Sequence, residues 1–310
     1  METSAPKKQQ FTSLIQMMRA MPDEQSAIDH FTAIRWKHGA YCPHCGATKV
    51  YHFKDGRTHK CGECRKRFSI KVGTIFEDSK IGLREWMLAI WLLTNHKKGI
   101  ASTQLATDIG VTQKTAWFML HRLRYAAQTK SFNRPLDGEI EADETFIGGK
   151  EKNKHASKRT GGKQGGKGKA IVLGILKRDG DLVTGTLPNL RAKNVQGAIN
   201  SIVAPGSTVM TDEHVSFNGL SDRFTHHRVN HSAGEYVRNY CLHTNGIESV
   251  WALFKRQVIG THHWLSPKHL SRYLNEMTWR FNQREIEAGE RVNALLEQTA
   301  GRLTYKELIA

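Results

Sequence analysis

The spacing of apolar side chains changes character along the chain. In residues 11–36, Leu14, Ile15, Met18, Ile28, Phe31 and Ile34 recur at roughly helical intervals, which predicts helix with these side chains inward. Residues 41–71 keep no period, and short turns around cysteines are expected there. Residues 80–130 return to strong helical spacing. From residue 138 the period shortens to that of strands, in the runs EIEADETF, AIVLGILKR, LVTGTL and STVMTD, before a helix-rich C-terminal part. Strands followed by helices predict a mixed domain of about 150 residues, and 310 residues leave room for more than one unit. The expected class is a multi-domain α+β protein. No internal repeat of fixed period is visible.

Composition narrows the partner. Lys and Arg total 46 against 29 Asp and Glu, a formal net charge of +17. Such a surplus points to a polyanion and says nothing of fold. With 39% hydrophobic and 24% charged residues, wholesale disorder is excluded. No apolar run approaches the roughly 18–20 residues of a membrane span. The start, METSAPKKQQ, lacks the apolar core of a secretory signal, so the expected compartment is the cytoplasm. The charge is concentrated in 148–170, GGKEKNKHASKRTGGKQGGKGKA, where eight basic residues face Glu151 alone. A Gly-rich, self-repelling stretch of this kind reads as a solvated linker or, beside other nucleic-acid features, as an arm that tracks phosphates.

Four of the five cysteines form C-x2-C-x15-C-x2-C: Cys42, Cys45, Cys61 and Cys64. Two residues between cysteines let a tight knuckle aim both thiolates at one ion, and two such knuckles close a tetrahedral site. Zn2+ is the expected ion. With four ligands its sphere is full, so its role is structural. His44 and His59 are surplus ligands, expected at the surface. Cys241 reads as a small buried hydrophobe.

Residues 99–124, GIASTQLATDIGVTQKTAWFMLHRLR, suggest two helices around a turn. Ser102 or Thr103 can cap the first, Gly110 suits a C-terminal turn, and Thr112 can cap the second. Ala116, Met119, Leu120 and Leu123 make an apolar face, leaving Gln113, Lys114, Arg122 and Arg124 outward. This is the pattern of a helix-turn-helix or of an ordinary helical hairpin; the basic charge favours the former, with its second helix in a DNA groove.

Carboxylates supply the candidate chemistry. Asp143 lies in the strand-like EIEADETF and Asp212 ends STVMTD, so strands would bring both to a sheet edge. Glu248 falls in HTNGIESVWALFKRQ, which reads as a helix with Ile247, Val250, Trp251, Phe254 and Val258 on its apolar face. Asn245 precedes Glu248 by one turn, and Lys255 follows it by two. Two strands and a helix can deliver three carboxylates to a pair of divalent ions, and hard oxygen ligands select Mg2+ or Mn2+. Glu141 and Glu144 beside Asp143, and Glu213 beside Asp212, are expected to point away from the ions. Tyr273, Met277, Trp279 and Phe281 read as packing residues of another helix. The run Gly260, Thr261, His262, His263, Trp264 is a loop that could touch DNA.

Taken together, D…D-x35-E with Lys255 seven residues beyond, behind a double-CxxC ribbon, resembles the bacterial insertion-sequence DDE transposases of the insertion sequence 1595 family. The matching strings include EADETFIGGKEKNKH, NHSAGEYV and HTNGIESVWALFKRQVIGTHHWLSPKHLSRYLNEMTWRFNQRE, and the likeness spans about residues 12–285. It implies an N-terminal helical segment (1–38), a zinc ribbon (39–74), a helix-turn-helix region (75–132), an RNase H-like catalytic domain (137–285) with the basic loop 148–170, and a helical tail (286–310). It implies Asp143, Asp212 and Glu248 on Mg2+ or Mn2+. In this branch asparagine can stand at the third position, so Asn245 competes with Glu248; a carboxylate neutralises a divalent ion better than an amide, which favours Glu248. Lys255 would meet a DNA phosphate, and the family pattern brings His231 toward the site. The implied reaction cleaves the element's terminal inverted repeats and joins the 3′-OH to target DNA, through a homodimer or larger synaptic assembly on the nucleoid. A metal-dependent nuclease without strand transfer, and a non-catalytic zinc-ribbon regulator, are the alternatives.

Overall fold

The computed structural model describes residues 8–128, 135–149, 155, 157, 168–229 and 242–309. Most of the basic stretch 148–170, together with His231 and Cys241, lies outside the described residues. The chain divides into two compact units, Met1–Ala127 with Gln283–Ala310, and Gln128–Asn282.

The first unit opens with α1 (Leu14–Ala20) and α2 (Glu24–Arg35), capped by Ser13 and by a capping box between Asp23 and Ser26. The helices form where expected, but α1 is turned differently about its axis. Met17 and Met21 are buried, while Ile15 and Met18 are 62% and 43% exposed. Three short strands follow, β1 (Val50–His52), β2 (Thr58–Cys61) and β3 (Arg67–Ser69), in an antiparallel sheet of that order. Next come α3 (Leu83–Asn95), α4 (Ser102–Ile109) and α5 (Gln113–Ala126). Helix α3 buries Leu83, Trp86, Met87, Ile90 and Leu93, one stripe at helical spacing. Its N-cap, Gly82, has no side chain to offer, and the Glu24 carboxylate accepts from the amides of Leu83 and Arg84 instead. Further along the chain, α9 (Ala288–Glu297) packs against α2 and α3, and α10 (Tyr305–Ile309) meets α5.

Between α4 and α5, Gly110 takes the left-handed conformation (φ 69°), and the Thr112 hydroxyl caps α5 by accepting from the Thr115 amide. Neither Ser102 nor Thr103 caps α4, whose N-cap is Ala101. Ala116, Met119, Leu120 and Leu123 are buried as their spacing predicts. The outward basic face is smaller than expected. Arg124 is 1% exposed, and Arg122 turns inward to donate to the carbonyls of Ile75 and Glu77. Gln113 and Lys114 remain exposed.

The second unit is built on a five-stranded sheet, in spatial order β6-β5-β4-β7-β8. Its strands are β4 (Glu139–Ile147), β5 (Ala170–Lys177), β6 (Leu182–Leu187), β7 (Thr208–Thr211) and β8 (Thr225–Arg228). Strands β4, β5 and β6 pair antiparallel; β7 and β8 join β4 in parallel. Helix α6 (Ala192–Ile202) covers one face with Val195 and Ile199 against Ile140, Ala142 and Leu173. On the other face lie α7 (Asn245–Gln257) and α8 (Leu270–Asn282), through Ile247, Val250, Trp251, Phe254, Tyr273 and Met277. Gly174 on β5 lets α7 come close: a Cβ there would stand 2.5 Å from Trp251 Cζ2 and 2.7 Å from Ile247 Cδ1. A π-helical turn, Val258–His262, follows α7 and leads to an exposed Trp264. Among the described residues no helix is long and apolar enough to cross a membrane.

Candidate metal centres

The cysteine centre comes from two knuckles, one before β1 and one at the end of β2. Ligand atoms of Cys42, Cys45, Cys61 and Cys64 all lie within 4.8 Å of one another. Sulfur atoms stand 3.7 Å apart for Cys42 and Cys64, and 3.6 Å for Cys45 and Cys61. Tetrahedral zinc with Zn–S near 2.3 Å sets its sulfurs about 3.8 Å apart, so the donor set fits that ion. The backbone amide of His44 donates to Cys42 Sγ, and those of Glu63 and Cys64 donate to Cys61 Sγ. His44 is exposed as expected. His59 is not: it is 4% exposed, on the inner face of the central strand β2, opposite Phe68 and against the Trp36 ring. Strand alternation carries it inward, where burial pushes its pKa down to about 4. The small ribbon core is Cys42, Cys61 and Phe68, with Trp36 and Val50 packed on it.

The carboxylate centre lies in the second unit. Asp143 sits inside β4, the central strand, rather than at a sheet edge. The parallel register pairs Glu141 with Met210, so its continuation sets Asp212, just past the end of β7, beside Asp143. The His214 amide donates to Asp212 Oδ1 at 2.9 Å and holds that side chain.

Alternation misplaced the neighbours of Asp143. Glu144 emerges from the opposite face, yet carboxylate oxygens of Asp143, Glu144 and Asp212 all lie within 4.8 Å of one another. Glu141, two residues before Asp143, shares its face and is 1% exposed, held by Arg178 Nε at 2.9 Å. Burial pushes the Asp143 carboxyl up to about 7, reinforced by the charges of Glu144 and Asp212 and, further down, Glu248. Glu144 is likewise pushed up to about 7, by burial and then by Asp212. Crowding of this kind favours the neutral forms of Asp143 and Glu144, and a bound cation would oppose it.

Glu248 lies in the first turn of α7. It stands outside the tight cluster, though its charge bears on Asp143, and its Oε1 accepts from the Thr244 hydroxyl at 2.9 Å. Asn245, the first residue of α7, and Lys255 near its end are exposed. Trp251, Phe254, Met277 and Trp279 are buried.

Residues 135–282 match the ISXO2-like transposase domain, and residues 22–67 match the transposase zinc-ribbon domain. The chain is 29% identical over 267 residues to a protein in transposable element ISH50 of Halobacterium salinarum, covering 81% of this chain and 86% of that one. It is 33% identical over 106 residues to a transposase-like protein of Haemophilus influenzae, covering 34% of this chain and 84% of that one. The crystal structure of a pre-cleavage Mos1 transpososome aligns at 12% identity over 70% of this chain and 80% of that one, with a TM-score of 0.26, too low to bear on fold.

Proposed function

This chain belongs to the insertion-sequence transposases that join a transposase zinc ribbon to an ISXO2-like transposase domain, and from that premise we propose that it cuts and joins DNA by metal-assisted phosphoryl transfer at Asp143 and Asp212. The observation that carries the proposal is the gathering of Asp143, Glu144 and Asp212 within 4.8 Å, with two of the three acids pushed up to about 7. Such a cluster is short of positive charge, and its all-oxygen donor set suits Mg2+ or Mn2+.

The second unit is read as an RNase H-like domain. Three antiparallel strands followed by two parallel ones, with acids on the central strand and at the end of its parallel neighbour, support that reading. Divalent ions bound there would activate an attacking oxygen and stabilise the leaving one. Asp143 and Asp212 would hold the ions, with Glu144 as an added ligand. Glu248 completes the set from α7, and Asn245 at the helix start orients it. Lys255, two turns beyond Glu248, receives a DNA phosphate. Water first displaces the 3′ oxygen of the element end at phosphorus, leaving a 3′-OH. That hydroxyl then displaces an oxygen of the target phosphodiester and forms the joint. Both steps are in-line displacements, so no side chain needs to become a nucleophile.

In the first unit, α4 and α5 act as a helix-turn-helix, with Gln113 and Lys114 toward the DNA groove. Together with the zinc ribbon they recognise the inverted repeats. Bringing two ends together requires a dimer or larger assembly at the nucleoid.

The test supplies purified protein with pre-cut 3′-OH ends, a target plasmid and Mg2+. Joined product is expected, and Asp143→Ala and Asp212→Ala are expected to abolish it. Hydrolysis without joining would make the protein a nuclease. No cleaved or joined product from the parent, with DNA binding intact, would leave a DNA-binding regulator, and variants as active as a joining parent would place catalysis away from Asp143 and Asp212.

A further inference from the structure

We propose that Glu141 is a positioning residue that seats the first turn of α7 on β4 and thereby sets where Glu248 stands against Asp143, an inference that rests on the catalytic reading above. A buried carboxylate needs a reason, and Glu141 is 1% exposed. Its Oε2 accepts from the Ile247 amide at 2.9 Å, the residue immediately before Glu248. Helix α7 has no side-chain cap of its own. Thr244, at the N-cap position, instead gives its hydroxyl to Glu248 Oε1. The open first-turn amide of α7 is therefore met by a carboxylate from the strand that bears Asp143.

The other oxygen of Glu141 fixes the clamp. Oε1 accepts from Arg178 Nε at 2.9 Å, while Arg178 Nη1 reaches Glu139 Oε2 at 2.8 Å. Arg178 Nη2 donates to the His243 carbonyl at 3.0 Å and to its Nδ1 at 3.1 Å. One guanidinium thus joins two residues of β4 to the backbone that enters α7. The contact is also tight: a Cβ on Gly246 would stand 2.8 Å from Glu141 Oε2 and 3.0 Å from Leu176 Cδ2. A local Ser or Asp cap would satisfy the helix wherever it lay. A strand-borne cap satisfies it at one place only, and outer partners of this kind tune how well metal-binding carboxylates are aimed.

The experiment compares full-length protein with Glu141→Gln, Gly246→Ala and Asp143→Asn. Gly246→Ala keeps every charge and alters only the seat of α7. For each we measure affinity for Mn2+ alone by electron paramagnetic resonance, melting temperature, binding to inverted-repeat DNA, and the Mg2+ dependence of end cleavage. Glu141→Gln and Gly246→Ala are expected to fold and to bind DNA as the parent does, to bind Mn2+ about tenfold more weakly, and to lose kcat with KM for DNA unchanged. Parental Mn2+ affinity in both, with Asp143→Asn binding none, would overturn the positioning role and leave the catalytic reading intact. Parental Mn2+ affinity in Asp143→Asn would overturn the catalytic reading and this inference with it. Failure of both seat variants to fold would also overturn it, by making the clamp a requirement of folding rather than of aim.

Discussion

Asp143 and Glu144 hold their protons to about pH 7 because burial and mutual repulsion disfavour the charged forms. Their ordinary values are 3.8 and 4.5, so between those values and about 7 the native state binds more protons than the unfolded chain. That contribution to stability is whole below the unfolded pKa and is lost as pH rises through the folded one. With zinc retained and Mg2+ absent, the melting temperature is therefore expected to fall between about pH 5 and pH 8, and Mg2+ to restore it. Asp143→Asn should flatten the fall and melt higher than the parent at pH 8 while cleaving nothing. Thermal denaturation across pH checks this, and equal slopes for both proteins would refute it. Of this centre, Asp143 was legible inside one strand-like run and Asp212 at the end of another. Glu144 was not, because alternation gives the direction of a Cβ but not the path of a glutamate's three further carbons. Glu141, expected to point away from the ions, shares the face of Asp143 because it lies two positions back on the strand, yet it stays outside the acidic cluster.

Among the elements, helical spacing located α1, α2 and α5 and the buried faces of α2 and α5, but not the rotation of α1. Ile15 and Met18 face outward where Met17 and Met21 face in, and Arg124, expected on the outward basic face of α5, is buried. Once a helix has several apolar candidates, the neighbouring helices choose among them. The zinc ribbon is the element with least to hold it. Its three strands span 3, 4 and 3 residues around Cys42, Cys61 and Phe68, too small a core to stand alone. Removing zinc with a chelator is expected to unfold β1 to β3 and to leave α3 and α9 helical. Amide resonances of residues 41–70 should collapse while far-ultraviolet helical signal persists; ribbon resonances that survive chelation would show that the metal is not structural.

For the whole molecule, a net charge of +17 means that the proposed association with DNA would be a counterion-release process. Affinity for inverted-repeat DNA should fall linearly with salt on logarithmic axes, by at least about tenfold between 50 and 200 mM, as it does when several phosphates are contacted. Fluorescence anisotropy measures it, and a flat line would mean that the basic residues do not touch phosphate. Lys114→Ala should lower discrimination between repeat and random DNA, because it is exposed on α5 and supports no buried contact.

The two CxxC pairs, the motif strings and the surplus of lysine and arginine were enough, read as a string, to reveal a basic zinc-ribbon protein of the insertion-sequence kind, because ligand identity and short spacings are properties of local chain. Which glutamate joins Asp143 and Asp212, and which one anchors α7 instead, depended on β7 ending beside β4 and on α7 lying over Gly174. Those are long-range pairings, and no local pattern of side chains encodes how far a distant helix slides along a strand.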